Sequence, residues 1–403
     1  MRAGRNGGAR RDSRHHRNFT HNEDDPAEMV LTLAFRNLFH DRIRLAVTLV
    51  GILFSIVLVA VQLGLYLGAR KMIVSMIEHA DADLWVTAYG AKSFEDSAAL
   101  TGGERHAVLS VPGVNSAVPL VVAFNEWRKP AGGSTVVVIV GTDPEDRGLV
   151  PWKFAAGNAS DIISPDAVAV DRSYLADLGV TGVGDTAQIE SSRVKVGAVT
   201  DGIRSFTMAP YVFTTIKRAR AIFGMPNDRA TYLLVKLSPG TNRDGVRDAI
   251  KEKLASVEVL TPSEFEARSL DQWLFATGAG VALIGGAVLG ILVGTVIVAQ
   301  TLYSSTKDHL SEFATLRALG SSKGYIHRVI LLQAGLSAVI GYVLGMSIAL
   351  VVVAFSEQTA LPIVMTPELA IGLFVLTLLM CSISAMAAIM KVTKIDPAMV
   401  FAR

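Results

Sequence analysis

A glycine-rich stretch, LGVTGVGDT at 178–186, places Gly179, Gly182 and Gly184 closely enough to suggest a backbone turn around a phosphate. A dinucleotide-binding turn follows a strand and opens a helix. Here the glycines follow a helical pattern at Arg172–Leu178, which favours a plain turn. No GxxxxGK[ST] stretch occurs, so the chain lacks the amide cradle and lysine that hold nucleotide phosphates. His79, His106, His309 and His327 lack HExxH spacing, and no serine lies in GxSxG. Ser304 and Lys307 form an SxxK match of little specificity, at the edge of an apolar run. Glu78, His79, Asp81 and Asp83 are the densest acidic cluster, read as the solvated approach to a strand rather than a cation site. The single cysteine, Cys381, allows neither a disulfide nor a CxxC site. No catalytic, cofactor-binding or metal-binding residue is expected.

The remaining pattern points to mechanical work. Tyr303–Arg328, YSSTKDHLSEFATLRALGSSKGYIHR, is a charged connection between two uncharged runs, 272–306 and 329–356. Each run exceeds the ~20 apolar residues that span a bilayer, so the connection lies just outside the membrane. Phe313, Leu316 and Leu319 recur every three residues beside Glu312 and Arg317, a helical pattern that Gly320 ends. Ser321 and Ser322 then cap a second helix. The segment is a short amphipathic elbow presented to one side of the membrane.

Composition agrees with a membrane protein: 51% of the 403 residues are hydrophobic and the mean hydropathy is +0.42. The net charge of +2 is spread unevenly. Six arginines from Arg2 to Arg17 are interspersed with Gly and His, which reads as a disordered tail at 1–26 rather than a nucleic-acid arm. Residues 27–44 form an interfacial helix whose Leu31, Ala34, Phe35 and Leu38 share a face. Spans follow at 45–69, within 272–306, at 329–356 and at 369–390. The first is too long, and its polar leader too extended, for a signal peptide. The second run has 35 residues, roughly 50 Å of helix, and is expected to project beyond the bilayer as a stalk continuing from Pro262–Asp271. Arg36, Arg42, Arg44, Arg328, Lys391 and Lys394 mark the cytoplasmic side, which places both termini and the 307–328 elbow inside. Residues 357–368 are then a short external loop and 391–403 a cytoplasmic tail.

Between the first two spans lies 70–271, too long for a loop. Strand patterns at 83–87, 118–127, 135–140, 167–170, 193–199, 211–215 and 232–237 alternate with helical patterns at 103–110, 172–178, 217–223 and 241–255. The fold class is therefore an α-helical membrane protein of four spans with an external α+β domain between the first and second. In the spans, Ala60, Gly64 and Gly68, then Gly286, Gly290 and Gly294, then Gly341 and Gly345 recur every four residues. Such faces let helices approach closely, within or between protomers. No span contains Asp, Glu, Lys, Arg or His, and Gln62, Gln300 and Gln333 are expected to be buried amides. An ion-coupled carrier would need titratable groups or broken helices there.

The string EFATLRALGSSKGYIHRVILLQAGL resembles the cytoplasmic coupling segment of FtsX-like and MacB-like permeases, the membrane subunits of ABC transporters that work by mechanotransmission. The likeness is strongest at Leu33–Arg70, Val111–Asp143 and Tyr303–Arg328, and the order of elements agrees from about Glu28 to the C-terminus. Within that superfamily the chain is similar to DevC-like permeases. The resemblance implies a bacterial inner-membrane protein, present as two copies, that transports cargo without being an enzyme. A separate ABC ATPase subunit holds ATP and Mg and docks at Glu312, Phe313, Leu316, Arg317, Leu319 and Gly320. The external domain then acts on a membrane fusion protein and an outer-membrane channel. A lipoprotein-releasing permease and an FtsX-like regulator of a cell-wall hydrolase are the alternatives within the same superfamily.

Overall fold

The computed structural model describes residues 35–36, 38–308, 311, 315, 323–357, 359 and 361–392. The 1–26 tail, most of the expected interfacial face including Leu31 and Ala34, and the tail beyond 392 lie outside the described residues. Residues 35–36 and 38–40 are helical, and the chain breaks at Asp41. There the Asp41 carboxylate accepts from the Arg44 amide at 3.1 Å and starts α1 (Arg42–Glu78).

The uncharged stretch of α1 ends at Ala69, but the helix does not. Arg70, Lys71 and Glu78 alternate with Met72, Ile73, Val74, Met76 and Ile77, all five of them buried. The amphipathic tail therefore continues the helix to 37 residues, about 55 Å. Met76 and Ile77 enter the core of the following domain, next to Trp85, Tyr232 and Phe265.

That domain has two lobes. The first contains β1 (Leu84–Ala88), α2 (Glu104–Leu109), the first half of β2 (Val114–Arg128), β9 (Tyr232–Leu237), α5 (Arg243–Lys253) and β10 (Val257–Leu260). Its strands lie in the order β10-β1-β9-β2, all antiparallel, which is a split βαβ pair. Val86, Val108, Val235, Val246 and Ile250 fill the space between sheet and helices.

The second lobe is inserted between β2 and β9. β2 runs on through Val121–Arg128 into β3 (Ser134–Thr142), whose neighbour is β8 (Tyr211–Thr215) in parallel. β5 (Ala167–Asp171) and β7 (Ser192–Thr200) follow, and β6 (Thr186–Ile189) joins β7 back to β2. Six strands thus close into a ring, with β4 (Phe154–Ala156) added on β7. α3 (Leu175–Leu178) and α4 (Ile216–Phe223) cover it. Gly141 permits this close packing, since a Cβ there would overlap Ala219 of α4. Trp127 is buried and donates from its indole N–H to the Leu178 carbonyl at 2.9 Å. All seven expected strands are present; β4, β6 and β10, of three or four residues each, carry too short a pattern to be read from sequence.

The chain returns to the bundle through α6 (Pro262–Leu270), a π-turn (Asp271–Ala276) and α7 (Ala279–Asp308), followed by α8 (Lys323–Ser356) and α9 (Pro367–Val392). The stalk expected of 272–306 and the segment before it is interrupted: Gly278 adopts φ +79° and separates the π-turn from α7. α1 runs from the bundle into the domain core without a break. Stretches of α1, α7, α8 and α9 are long and apolar enough to cross a membrane.

Trp127→Ala is expected to destabilise the inserted lobe by about 3–5 kcal/mol through the cavity it leaves. Phe124→Ala, at a residue 41% exposed on the same strand, is expected to cost less than about 1 kcal/mol. Hydrogen exchange in β2, β3 and β8 of the full chain checks the contrast.

Candidate functional site

The small-residue faces meet on α1. A Cβ at Gly286 would lie 2.7 Å from the Gln62 amide, one at Gly290 3.1 Å from both Leu58 and Val59, and one at Gly294 2.5 Å from Ser55. On α8, Gly341 faces Ile52 at 2.5 Å and Gly345 faces Ile56 at 3.0 Å by the same measure. Three helices therefore pack backbone-close within one protomer, with α1 in the middle. The Ser55 hydroxyl donates to the Gly290 carbonyl at 2.8 Å, which fixes the seam in register. Ala60 is fully buried. Gly64 and Gly68 do not meet a helix: a Cβ at either would overlap the connection between α8 and α9, at Ile363 and at the Pro362 carbonyl respectively. The Val364 amide donates to the Gly64 carbonyl at 3.0 Å. Gln333 is buried and Gln62 partly so, but Gln300 is exposed on the outside of α7, contrary to the expected burial.

At the domain end of the bundle, a loop at 201–209 links the two parts. The buried Asp171 carboxylate shapes its base, accepting from the Ile203 amide at 2.8 Å, the Thr200 hydroxyl at 3.0 Å and the Ser173 hydroxyl at 2.6 Å. The Ser205 amide donates to the Tyr174 hydroxyl at 3.2 Å. Held this way, the loop presents Arg204, which donates to the carbonyls of Glu357 at 2.7 Å and Thr359 at 3.1 Å, and Phe206, which packs edge-on against Trp273 at 6.0 Å. Phe206, Leu270, Trp273 and Leu274 surround Ala69 and Ile73 of α1. Beside them Glu95, 2% exposed, accepts from the Tyr211 hydroxyl at 2.6 Å and the Trp273 indole N–H at 3.0 Å. Burial, followed by the adjacent Glu95 charge, pushes the Tyr211 phenol well above its ordinary range and keeps it a donor. None of Asp171, Arg204, Glu95 or Trp273 stood out in the sequence, where each is a lone charged or aromatic residue.

At the opposite end, the Arg44 guanidinium pairs with Asp308 at 2.5 Å and Asp41 at 3.3 Å, tying the first turn of α1 to the last of α7. Asp41, Arg44, Thr48, Thr301, Ser305, Gln333 and Ser337, with Leu38, Leu45 and Leu302, line a narrow cleft there. Glu312, Phe313, Leu316, Arg317, Leu319 and Gly320 lie outside the described residues.

Candidate chemistry elsewhere resolves into ordinary contacts. Lys236 pairs with Asp81 at 2.6 Å and Asp83 at 3.5 Å. Gly179 ends α3 with φ +68°, and Asp185 closes the next turn by accepting from the Thr181 amide at 2.7 Å. Among the described residues no group of His, Cys, Asp and Glu could hold a metal ion.

Gly294→Leu is expected to force α1 and α7 apart and lower the stability of the solubilised protein by about 1–3 kcal/mol. Gly372→Leu, where nothing lies within 4 Å of the added Cβ, is expected to change it by less than about 1 kcal/mol. Thermal unfolding in detergent compares the two.

Comparison with known proteins places this arrangement. The family described as MacB-like periplasmic core domain matches residues 45–253, and that described as FtsX-like permease C-terminal matches residues 284–397. An uncharacterized ABC transporter permease of Mycobacterium tuberculosis is 26% identical over 387 residues, covering 92% of this chain and 99% of that one. Another, of Mycobacterium bovis, is 24% identical over 375 residues, covering 89% and 95%. Among solved structures, the periplasmic region of MacB from Actinobacillus actinomycetemcomitans aligns with a TM-score of 0.37 at 11% identity, covering 48% of this chain and 96% of that one. The extracellular domain of the noncanonic ABC-type transporter YknZ from Gram-positive bacteria aligns with a TM-score of 0.32 at 13% identity, covering 45% and 99%. With the first family match spanning more than half its residues and the second most of its last three membrane helices, the chain belongs to the MacB-like, FtsX-like family of ABC transporter permeases.

Proposed function

We propose that this permease converts ATP hydrolysis on a separate ATPase subunit into movement of its periplasmic domain, and so exports cargo through a membrane fusion protein and an outer-membrane channel, as a DevC-like permease would. Two copies form the working unit, each docking an ATPase through the 307–328 elbow, with both termini in the cytoplasm. The observation that carries the reading is α1, which runs without a break from the Arg44–Asp308 pair beside the elbow to Met76 and Ile77 in the domain core. A rod anchored at both ends passes displacement along its length. The hydrogen bonds of Arg204 to the 357–359 connection give the third and fourth helices a second route to the domain. ATP and Mg belong to the partner, because this chain has no phosphate loop.

Leu316→Asp, on the apolar face of the elbow, is expected to lower ATPase recruitment at least about tenfold, as a charge in an apolar groove costs more than ~1.4 kcal/mol, while membrane insertion is retained. Copurification and ATP turnover measure it, and unchanged values for both would refute the docking assignment. Orientation is tested with cysteines at Ser160, Glu357 and Ser321: an impermeant thiol reagent should label the first two after outer-membrane permeabilisation and leave the third unmodified.

Gly290→Leu tests the seam in transport. Bulk between α1 and α7 should uncouple ATP hydrolysis from export by about tenfold or more, with ATPase binding intact, because the elbow is unchanged. Export by the variant at the wild-type rate, or transport driven by a proton gradient without the ATPase, would contradict mechanical coupling.

A further inference from the structure

α7 is the helix that cannot act as a simple rod. Its 30 residues extend about 45 Å, more than the ~30 Å hydrocarbon core, and the break at Gly278 stands at its domain end. There the interrupted backbone can bond to protein or water: the Gly278 amide donates to the Phe275 carbonyl at 3.0 Å, and the Thr277 amide to Gln272 at 3.3 Å. No neighbouring atom lies within 4 Å of where a Gly278 side chain would start. The position φ +79° is one that L side chains rarely adopt, so this residue is both unobstructed and glycine-dependent.

Directly before this break, the π-turn meets the core domain at a buried carboxylate, beside the packing of Trp273 on Phe206 and of Leu274 on α1. Glu95 lies between β1 and α2, close to the first lobe's aromatic core, where Phe94 stacks on Tyr232 at 6.0 Å. One of its oxygens takes the hydroxyl of Tyr211 from the inserted lobe, and the other takes the indole N–H of Trp273 from the π-turn. Three separate pieces of the chain thus meet on one side chain: the first lobe, the second lobe and the root of α7. None of the described ion pairs involves this carboxylate. A buried acceptor left without its donor has no water to replace it, so these donors are held strongly.

We propose that Glu95 is the positioning residue that latches the root of α7 to the core domain, and that Gly278 is the joint about which the membrane part of α7 turns while the latch stays closed. The inference rests on the mechanical reading of the permease and locates where its second helix can move. Under this arrangement α1 transmits displacement directly, and the Glu95–Trp273 contact adds a link from the core domain to the root of α7, beside the packing of α7 on α1. Trp273→Phe removes one donor and keeps the ring against Phe206, so it should open the latch without emptying the surrounding core. Glu95→Gln should keep it closed, since the amide oxygen still accepts from Trp273 while its NH₂ donates to the Tyr211 oxygen.

The test uses the full-length permease with its ATPase in nanodiscs. Spin labels replace Ser191, exposed beside β6, and Ala282, exposed on α7 just past the joint, with Cys381→Ala removing the native thiol. Without nucleotide, Trp273→Phe and Glu95→Ala should each widen the label-to-label distance distribution about twofold as unlatched conformers become populated, and Glu95→Gln should restore the wild-type width. Tyr211→Phe serves as an independent second variant and should widen it as well. Equal widths in the wild type, Trp273→Phe and Tyr211→Phe, or a Glu95→Gln variant as broad as Glu95→Ala, would overturn the latch. The mechanical reading is scored separately by the shift in wild-type distance on ATP binding: its absence rejects that reading whatever the widths in the nucleotide-free state.

Discussion

The structure depends on one constraint, that a helix crossing hydrocarbon must satisfy every backbone polar group within itself. In α1 that ladder does not stop where the apolar run stops. It continues for nine residues on an amphipathic pattern whose buried side faces the core domain and the root of α7. The helix is therefore at once a membrane span, the centre of the bundle and a strut of the external domain. Its neighbours conform to it: α7 and α8 give up side chains at Gly286, Gly290, Gly294, Gly341 and Gly345 where they cross it.

The two ends of this strut are fastened by different physics. At the domain end the contacts are apolar and buried, with Met76 and Ile77 among aromatic rings, and they resist screening and proton exchange. At the other end the fastening is the Arg44–Asp308 ion pair, partly exposed and worth little in isolation. A tight attachment to the domain and a weak one at the other end is the division that the proposed mechanical coupling calls for.

The junction between domain and bundle uses few residues, each held by a buried polar partner. Asp171 sets the loop that carries Arg204 and Phe206, and Glu95 receives Trp273. These carboxylates sit inside an otherwise apolar domain because each finds two or more donors there. Such satisfied networks fix one geometry, whereas apolar surface alone would allow the bundle to settle against the domain in several ways.

The sequence by itself determined the four apolar helices, the intervening α+β domain and seven of its ten strands. These follow from local signals: run length, alternation of period two, and glycine recurrence every fourth residue. Glycine spacing also identified close packing, but could not say against what; Gly64 and Gly68 face the Pro362–Val364 connection rather than a helix, and Gln300 points outward. Tertiary structure alone decided the closure of β2-β3-β8-β5-β7-β6, since β6 has four residues and, besides the neighbouring β7, pairs with the distant β2 at Trp127 and Arg128. It also decided the break at Gly278, where an uncharged run of 35 residues reads as one helix until a positive φ is set by how the π-turn docks. The junction residues were invisible for the same reason: Asp171 meets Ile203 32 positions on, Arg204 meets Thr359 155 positions on and Glu95 meets Trp273 178 positions on, and a lone charged or aromatic residue carries no pattern until the fold supplies its partner.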